Sequence, residues 1–385
     1  MAVARQAWRA RHLFDGAQIL SDRIVVAEDG IVSAILPADA APDCAVEDLP
    51  DDAVLSPGFI DIQVNGGGGV MLNDSLTVEG VAAICAAHAR FGTRFLLPTL
   101  ISASRADIAR AIAAAREAIA QGVPGVLGVH LEGPFINPER NGAHPLANLL
   151  RPEPSDIDLL ASLGPAGVTL VTLAPERVPE GFIRALVDRG VRVCAGHSNA
   201  TAAEMARARA EGLSGVTHLF NAMSQLGSRE PGVVGAAMSD LGLAAGIIAD
   251  GHHVAWPSFQ AAFRAIGPQR MMLVTDAMAT IGSPRDAFEL FGETIRVSIA
   301  MAARPWPRRS RWRALRRRPI SASPAAMAGS RRAGRRSFPC CGQRPSHPLS
   351  PTAPLAESAA YLWAAFAALP VGVAWLRHCR IFCRA

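Results

Sequence analysis

Hydrophobic and polar positions follow two rhythms along the chain, and both stop near Val297. Over residues 1–56 the apolar stretches are short: ARHLFDGAQI, DRIVVAEDGIVSAILP and an acidic stretch ending in AVLSP. Asp-Gly pairs at 15–16 and 29–30 punctuate them, and Asp-Gly supplies the positive-φ residues that hairpin turns require. This part is predicted to be a small β domain. From Pro57 the rhythm becomes strand, loop, helix. Strands are predicted at FIDIQV, RFLLPTL, VLGVHLE, VTLVTLAP, VRVCAGH, GVTHLF, AAGIIAD and MMLVTDA, with Ala-rich helices such as IAAAREAIAQG and AAEMARARAEG between several of them. Eight such units predict an α/β fold, a TIM-type (β/α)8 barrel, over 57–297.

Composition changes the picture only at the far end. The net charge of +5 averages two unlike parts: residues 1–297 hold 22 arginines and 32 acids (−10), whereas 298–385 hold 16 arginines and one acid, Glu357 (+15). Periodicity is lost there, and Arg, Ala, Pro and Ser dominate. A basic nucleic-acid tail would use such arginines, but tryptophans and a Cys-Cys pair are scattered among them. Ser358–Leu376 is an uncharged run of about 19 residues, near the minimum for a membrane span, yet Pro370 interrupts it. A shifted reading frame in a GC-rich gene accounts for the composition best. The segment is therefore expected to be aberrant and irregular, to bind neither nucleic acid nor membrane, and to leave the β domain incomplete.

The chain start has no apolar signal segment. Only Cys44, Cys85 and Cys194 fall in the organised part, without metal spacing. Both features predict a reduced, cytoplasmic setting.

In a barrel, chemistry gathers at the C-terminal strand ends. There the sequence places Gln63 and Asn65, Glu132, His197, His218, Asp250 with His253, and Asp276. A lone histidine at such a place is usually a hydrogen-bonded core residue. Glu, His, His and Asp converging on one axis are harder to read that way, because two imidazoles and a carboxylate form an open three-ligand set for Zn²⁺ or Fe²⁺. The chain has no lysine, which excludes a binuclear centre bridged by a carboxylated lysine. His130 is read as structural, on the opposite side of its strand from the ligands. Asp61 is expected to hydrogen-bond the backbone, Asp250 to orient the loop of His253, and the glycine run 66–69 to make a tight turn, since no Gly-Lys-Ser/Thr follows it.

In order, PGFIDIQVNGGGG, HLEGPFINPERNGAH, AGHSNAT, THLFNAMS, DGHHV and LVTDAMA resemble the motif series of N-acetylglucosamine-6-phosphate deacetylases, in the amidohydrolase superfamily. The resemblance covers roughly residues 10–297. It implies hydrolysis of the acetamide of N-acetylglucosamine 6-phosphate with one divalent metal per chain, held by Glu132, His197 and His218. Asp276 would be the base that takes a proton from the hydrolytic water and passes it to the departing amine. His144 would hydrogen-bond the acetyl carbonyl. Ala143, Asn221 and Ala222 would contact the sugar, and Arg229 and His253 the 6-phosphate, some of these contacts crossing a homodimer interface. Another N-acetylhexosamine phosphate, such as the galactosamine epimer, and a non-catalytic remnant are the alternatives. In that family a loop and helix follow the eighth strand and further strands complete the β domain; residues 298–385 resemble neither.

Overall fold

The computed structural model describes residues 4–296. The shifted-frame reading of 298–385, with its expected irregularity, lies outside the described residues.

The N-terminal part is a five-stranded sheet of β1 (Arg5–Phe14), β2 (Ile19–Glu28), β3 (Ile31–Pro37), β4 (Val46–Asp48) and β5 (Val54–Leu55), in the order β3-β2-β1-β4 with β5 also on β1. Asp29 and Gly30 turn β2 into β3 with φ of 48° and 80°, the left-handed pair that a two-residue hairpin needs. Alternation gives the sheet a small core of Ala7, Ile24 and Val26, packed by Leu36 and Val46. Among the described residues no strand pairs with the outer side of β3, whose Ile31 and Val32 are 71% and 60% exposed.

The barrel begins with β6 (Phe59–Val64), and the glycine run forms a minute hairpin, β7 (Gly66–Gly67) and β8 (Val70–Met71). There follow α1 (Val78–Ala89), β9 (Thr93–Ile101), α2 (Arg105–Ala120), β10 (Gly128–Glu132), α3 (Ser155–Leu160), β11 (Val168–Leu173) and α4 (Phe182–Val187). The circuit continues through β12 (Arg192–Ala195), α5 (Ala202–Ala210), β13 (Gly215–Val216), α6 (Gly232–Ser239), β14 (Ala244–Ile247), α7 (Trp256–Ile266) and β15 (Met271–Leu273). The eight parallel strands lie in chain order from β6 through β9 to β15, and a bridge between Val64 and Ala277 brings the last against the first. All eight predicted strands are present. β12, β13 and β15 are shorter than the apolar runs that predicted them, and just beyond them His197, His218 and Asp276 take positive φ, at 49°, 34° and 49°.

Period-two alternation sorts the strands' residues. Leu96, Leu100, Val129, Leu131, Val171, Leu173 and Val193 join the helix-facing core. The opposite face lines the barrel, with Leu97, Leu170 and Cys194 in one apolar layer and Thr99, His130, Thr172 and Thr217 in the next. Helices start where the sequence signals them: Thr77 and Ser104 cap α1 and α2, and Thr201 with Glu204 forms a capping box on α5.

The glycine run is a tight turn, as expected. A Cβ on Gly66 would stand 2.5 Å from the Val70 carbonyl and 2.8 Å from the Ala279 amide. The turn zips onto the chain after β15, Gly68 N–H donating to Ile281 O (2.6 Å) and Gly69 N–H to Ala279 O (2.7 Å).

After β15 an antiparallel hairpin, β16 (Ala287–Leu290) and β17 (Glu293–Arg296), packs Leu290 and Ile295 on Met71, Ile101 and Ala279. Among the described residues no helix follows β15, and Ile60 on β6 is 58% exposed and Met272 on β15 37%. No helix among these residues is long and apolar enough to cross a membrane.

Candidate metal centre and active site

Glu132 ends β10 with its carboxylate buried inside the barrel mouth. Its Oε1 lies 3.1 Å from His197 Nε2, 2.9 Å from His218 Nε2 and 3.1 Å from Gln63 Nε2, which donates to it. The two imidazole Nε2 atoms are themselves 3.0 Å apart. Burial pushes the Glu132 pKa up, but while the two imidazoles carry Nε2 protons directed at it they more than offset this and hold the group well below the ordinary carboxylate range; a bound cation would take the place of those protons.

Hydrogen bonds decide which histidines can be ligands. His197 Nδ1 faces the Arg140 carbonyl at 2.7 Å. A carbonyl only accepts, so Nδ1 carries the proton and the neutral ring presents a bare Nε2 to the cluster. His218 Nδ1 is buried without a partner among the described residues, and its Nε2 points at the same spot. His144 is different. Its donor atom lies within 4.8 Å of those of Glu132 and His197, so proximity alone would admit it as a ligand. However, the Ser102 backbone N–H donates to His144 Nδ1 at 3.1 Å, and the Ser102 hydroxyl is 2.7 Å away. With Nδ1 accepting, the neutral ring carries its proton on Nε2 and can only donate there. Burial, reinforced by His197, holds its pKa well below the ordinary value and so keeps it neutral. His144 is therefore built as a hydrogen-bond donor, and Glu132, His197 and His218 as the donor set.

That set fits a divalent cation. A buried carboxylate oxygen and two imidazole Nε2 atoms converge to within 3.1 Å of one another, three potential ligand atoms that a shared cation would hold together.

Asp276 follows β15 on the other side of the mouth and is half-buried. Asn65 Nδ2 grips its Oδ1 at 2.6 Å, and its backbone N–H donates to Gln63 O at 3.0 Å. Burial, and then the charge of Glu132, raise its pKa. His253 feels the charges of both Asp276 and His218. Asp250 orients it: Oδ1 accepts from the amides of His252 and His253, and Oδ2 is 2.7 Å from His253 Nδ1. Burial disfavours the imidazolium, but Asp250 outweighs it and raises the His253 pKa.

Asn221 and Ala222 lie three and four residues beyond His218; Asn221 Nδ2 donates to the His218 carbonyl at 3.2 Å. Ala143 adjoins His144 on the exposed side, and Arg229 sits on an exposed loop outside the cluster. Asp61 bonds the backbone as expected, accepting from Gln63 N–H (3.1 Å) and Thr275 N–H (3.2 Å), and burial lifts its pKa to about 7.

His130 requires a correction. It is structural, held between Ile62 O (2.9 Å) and the Thr172 hydroxyl (2.7 Å) with burial lowering its pKa to about 4. Yet it faces the barrel interior, on the same side of β10 as Glu132 and one layer deeper. Residues two apart on a strand share a face, so the spacing itself carried this. Sequence reasoning also missed Ser102 and Glu176. Ser102 follows a strand without any motif, and Glu176 lies in an Ala-Pro-Glu-Arg turn after β11 that carries no motif either.

Residues 54–294 match the family model of the amidohydrolase family. The chain belongs to that family. Within it the chain is 41% identical over 298 residues to an N-acetylgalactosamine-6-phosphate deacetylase of Shewanella sp. (strain ANA-3), covering 74% of this chain and 75% of the relative. It is 34% identical over 281 residues to an N-acetylglucosamine-6-phosphate deacetylase of Haemophilus influenzae, 72% and 73% of the two chains. Among solved structures, an N-acetylglucosamine-6-phosphate deacetylase from Pasteurella multocida superposes with a TM-score of 0.72 at 32% identity, over 77% of this chain and 78% of that one.

Proposed function

We propose that this protein is a metal-dependent amidohydrolase that cleaves the acetamide of an N-acetylhexosamine 6-phosphate, N-acetylglucosamine 6-phosphate in the first instance, to the free amino sugar phosphate and acetate. The observation that carries the reading is the pairing of a three-atom donor set with a histidine whose tautomer makes it a donor, at one barrel mouth. Residues 57–297 form the catalytic unit.

Glu132, His197 and His218 hold the cation, Zn²⁺ or Fe²⁺, because a mixed imidazole–carboxylate set suits both. When bound, it supplies Lewis acidity, lowering the pKa of a water towards about 7 and polarising the amide carbonyl. The chain's own residues do the rest. His144 donates its Nε2 proton to the carbonyl oxygen and stabilises the charge that develops as water adds to the carbonyl carbon. Asp276 accepts the water's proton. Its Oδ1 is engaged by Asn65, so the transfer falls to Oδ2, and its raised pKa suits a group that must first take and then release a proton. As the C–N bond breaks, Asp276 returns that proton to the nitrogen, and acetate and the amine leave.

Ala143, Asn221 and Ala222 contact the sugar. His253, held towards its cationic form by Asp250, binds the 6-phosphate together with Arg229. In a homodimer that completes the phosphate contacts across its interface, the exposed Arg229 would be covered by the partner. Free Cys85 and Cys194, both buried, support a cytoplasmic setting. The relative from Shewanella favours a second reading, in which the galactosamine epimer is the better substrate.

Acetate release from the two epimeric 6-phosphates, with and without prior chelation, tests the proposal. Chelator-sensitive release from at least one epimer is expected, and the ratio of kcat/KM values chooses between them. No release from either by metal-loaded protein would overturn it.

A further inference from the structure

The loop after β12 that carries His197 is held by a carboxylate from a neighbouring strand. Glu176 sits in the 3-10 turn Pro175–Arg177 that follows β11. Its Oε1 accepts from the Asn199 backbone N–H at 2.6 Å and from Asn137 Nδ2 at 2.9 Å, and its Oε2 accepts from the Ser198 hydroxyl at 2.7 Å. One side chain thus ties together the loops after β10, β11 and β12.

Both anchors of His197 run through residues gripped in this way. Its carbonyl accepts from the Asn137 backbone N–H at 2.9 Å, and its Nδ1 proton goes to the Arg140 carbonyl at 2.7 Å. Arg140 is joined in turn to Asn199, Nε to Oδ1, at 2.5 Å. Glu176 therefore holds both Asn137, which meets the His197 carbonyl, and Asn199, which meets the Arg140 that accepts from the ring. Without it, two amides and a hydroxyl lose their acceptor at the place where the His197 backbone turns left-handed.

We infer that Glu176 is a positioning residue that sets the metal affinity of the site by fixing the orientation of His197. This rests on Glu132, His197 and His218 being the ligands. Partners that orient a ligating histidine typically contribute about 10–100-fold to metal affinity.

The probe is Co²⁺, titrated into the metal-stripped full-length chain and followed by its visible absorption, which reports ligand geometry directly. Glu176→Ala should weaken Co²⁺ binding by about 10–100-fold and shift the absorption bands. Glu176→Gln keeps one acceptor oxygen and should weaken it less, by about threefold or more. Glu211→Ala is the control for loss of a loop-holding carboxylate, because Glu211 accepts from the Gly181 and Arg184 amides at 3.0 and 3.4 Å away from the metal cluster. Its Co²⁺ affinity and spectrum should be unchanged. Wild-type affinity and spectrum in Glu176→Ala, or an equal loss in Glu211→Ala, would overturn the inference. Should Glu176→Ala not fold by circular dichroism, unchanged binding in Glu176→Gln would overturn it alone. Failure of the unsubstituted chain to bind Co²⁺ would instead overturn the ligand assignment, and this inference with it.

Discussion

The two sides of the barrel mouth are built differently. On the ligand side, β10 and β11 share five register pairs and β11 and β12 four, and the loops above are cross-tied by Glu176. On the other side, where β15 meets β6, the ladder reduces to the single bridge between Val64 and Ala277. Side chains take over there: the Asp61 carboxylate accepts the Thr275 N–H, and the Thr275 hydroxyl reaches Gln63 O at 3.4 Å. Of the three proposed ligands, Glu132 and His197 stand on this laddered side, His218 follows β13, which shares only two register pairs with each neighbour, and Asp276 lies at the seam. A cation site demands three atoms fixed to within a few tenths of an ångström, whereas a proton carrier needs only to reach two partners in turn. The backbone order around Glu132 and His197 follows those demands.

Each side of the mouth can be disabled separately. Asp276→Asn keeps the Asn65 contact geometry but cannot accept a proton. It should retain the metal and lose about 10²–10⁴-fold in kcat. Near-normal turnover would remove Asp276 from its role. His144→Ala removes the donor on the ligand side and should cost about 10²–10³-fold in kcat with metal content unchanged, as loss of one oxyanion donor does. Loss of the metal in that variant would make His144 a ligand and overturn the tautomer argument.

A smaller effect sharpens the seam. The Asp61 pKa is raised to about 7 by burial, from an ordinary value of 3.8. In this pH range the native state binds more protons than the unfolded chain, so stability falls as pH rises from the unfolded pKa to the folded one and then levels off. Asp61→Asn cannot ionise and retains one acceptor oxygen. The difference in Tm between pH 5 and pH 8 should therefore be smaller in this variant than in the unsubstituted protein. An equal or larger fall would show that Asp61 does not govern the seam.

Much of this was legible in the residues. Eight apolar runs gave eight strands because both faces of a barrel strand are largely buried, so the run is continuous and easily seen. Glu132, His197, His218 and Asp276 stood out as polar residues at the ends of such runs. What the sequence could not supply was protonation. His144 and His197 differ only in whether Nδ1 meets an N–H or a carbonyl, and those partners, Ser102 and Arg140, are distant in sequence or contribute main-chain atoms alone. Glu176 was invisible for a related reason, since it binds loops contributed by other strands. The face of His130 was legible from period two and was misread.

The central claim is a single-metal centre on Glu132, His197 and His218, and elemental analysis of the purified chain tests it most directly. At most one tightly held divalent metal per chain is expected, lost in Glu132→Ala. Two stoichiometric metals, or a metal retained in Glu132→Ala, would contradict it.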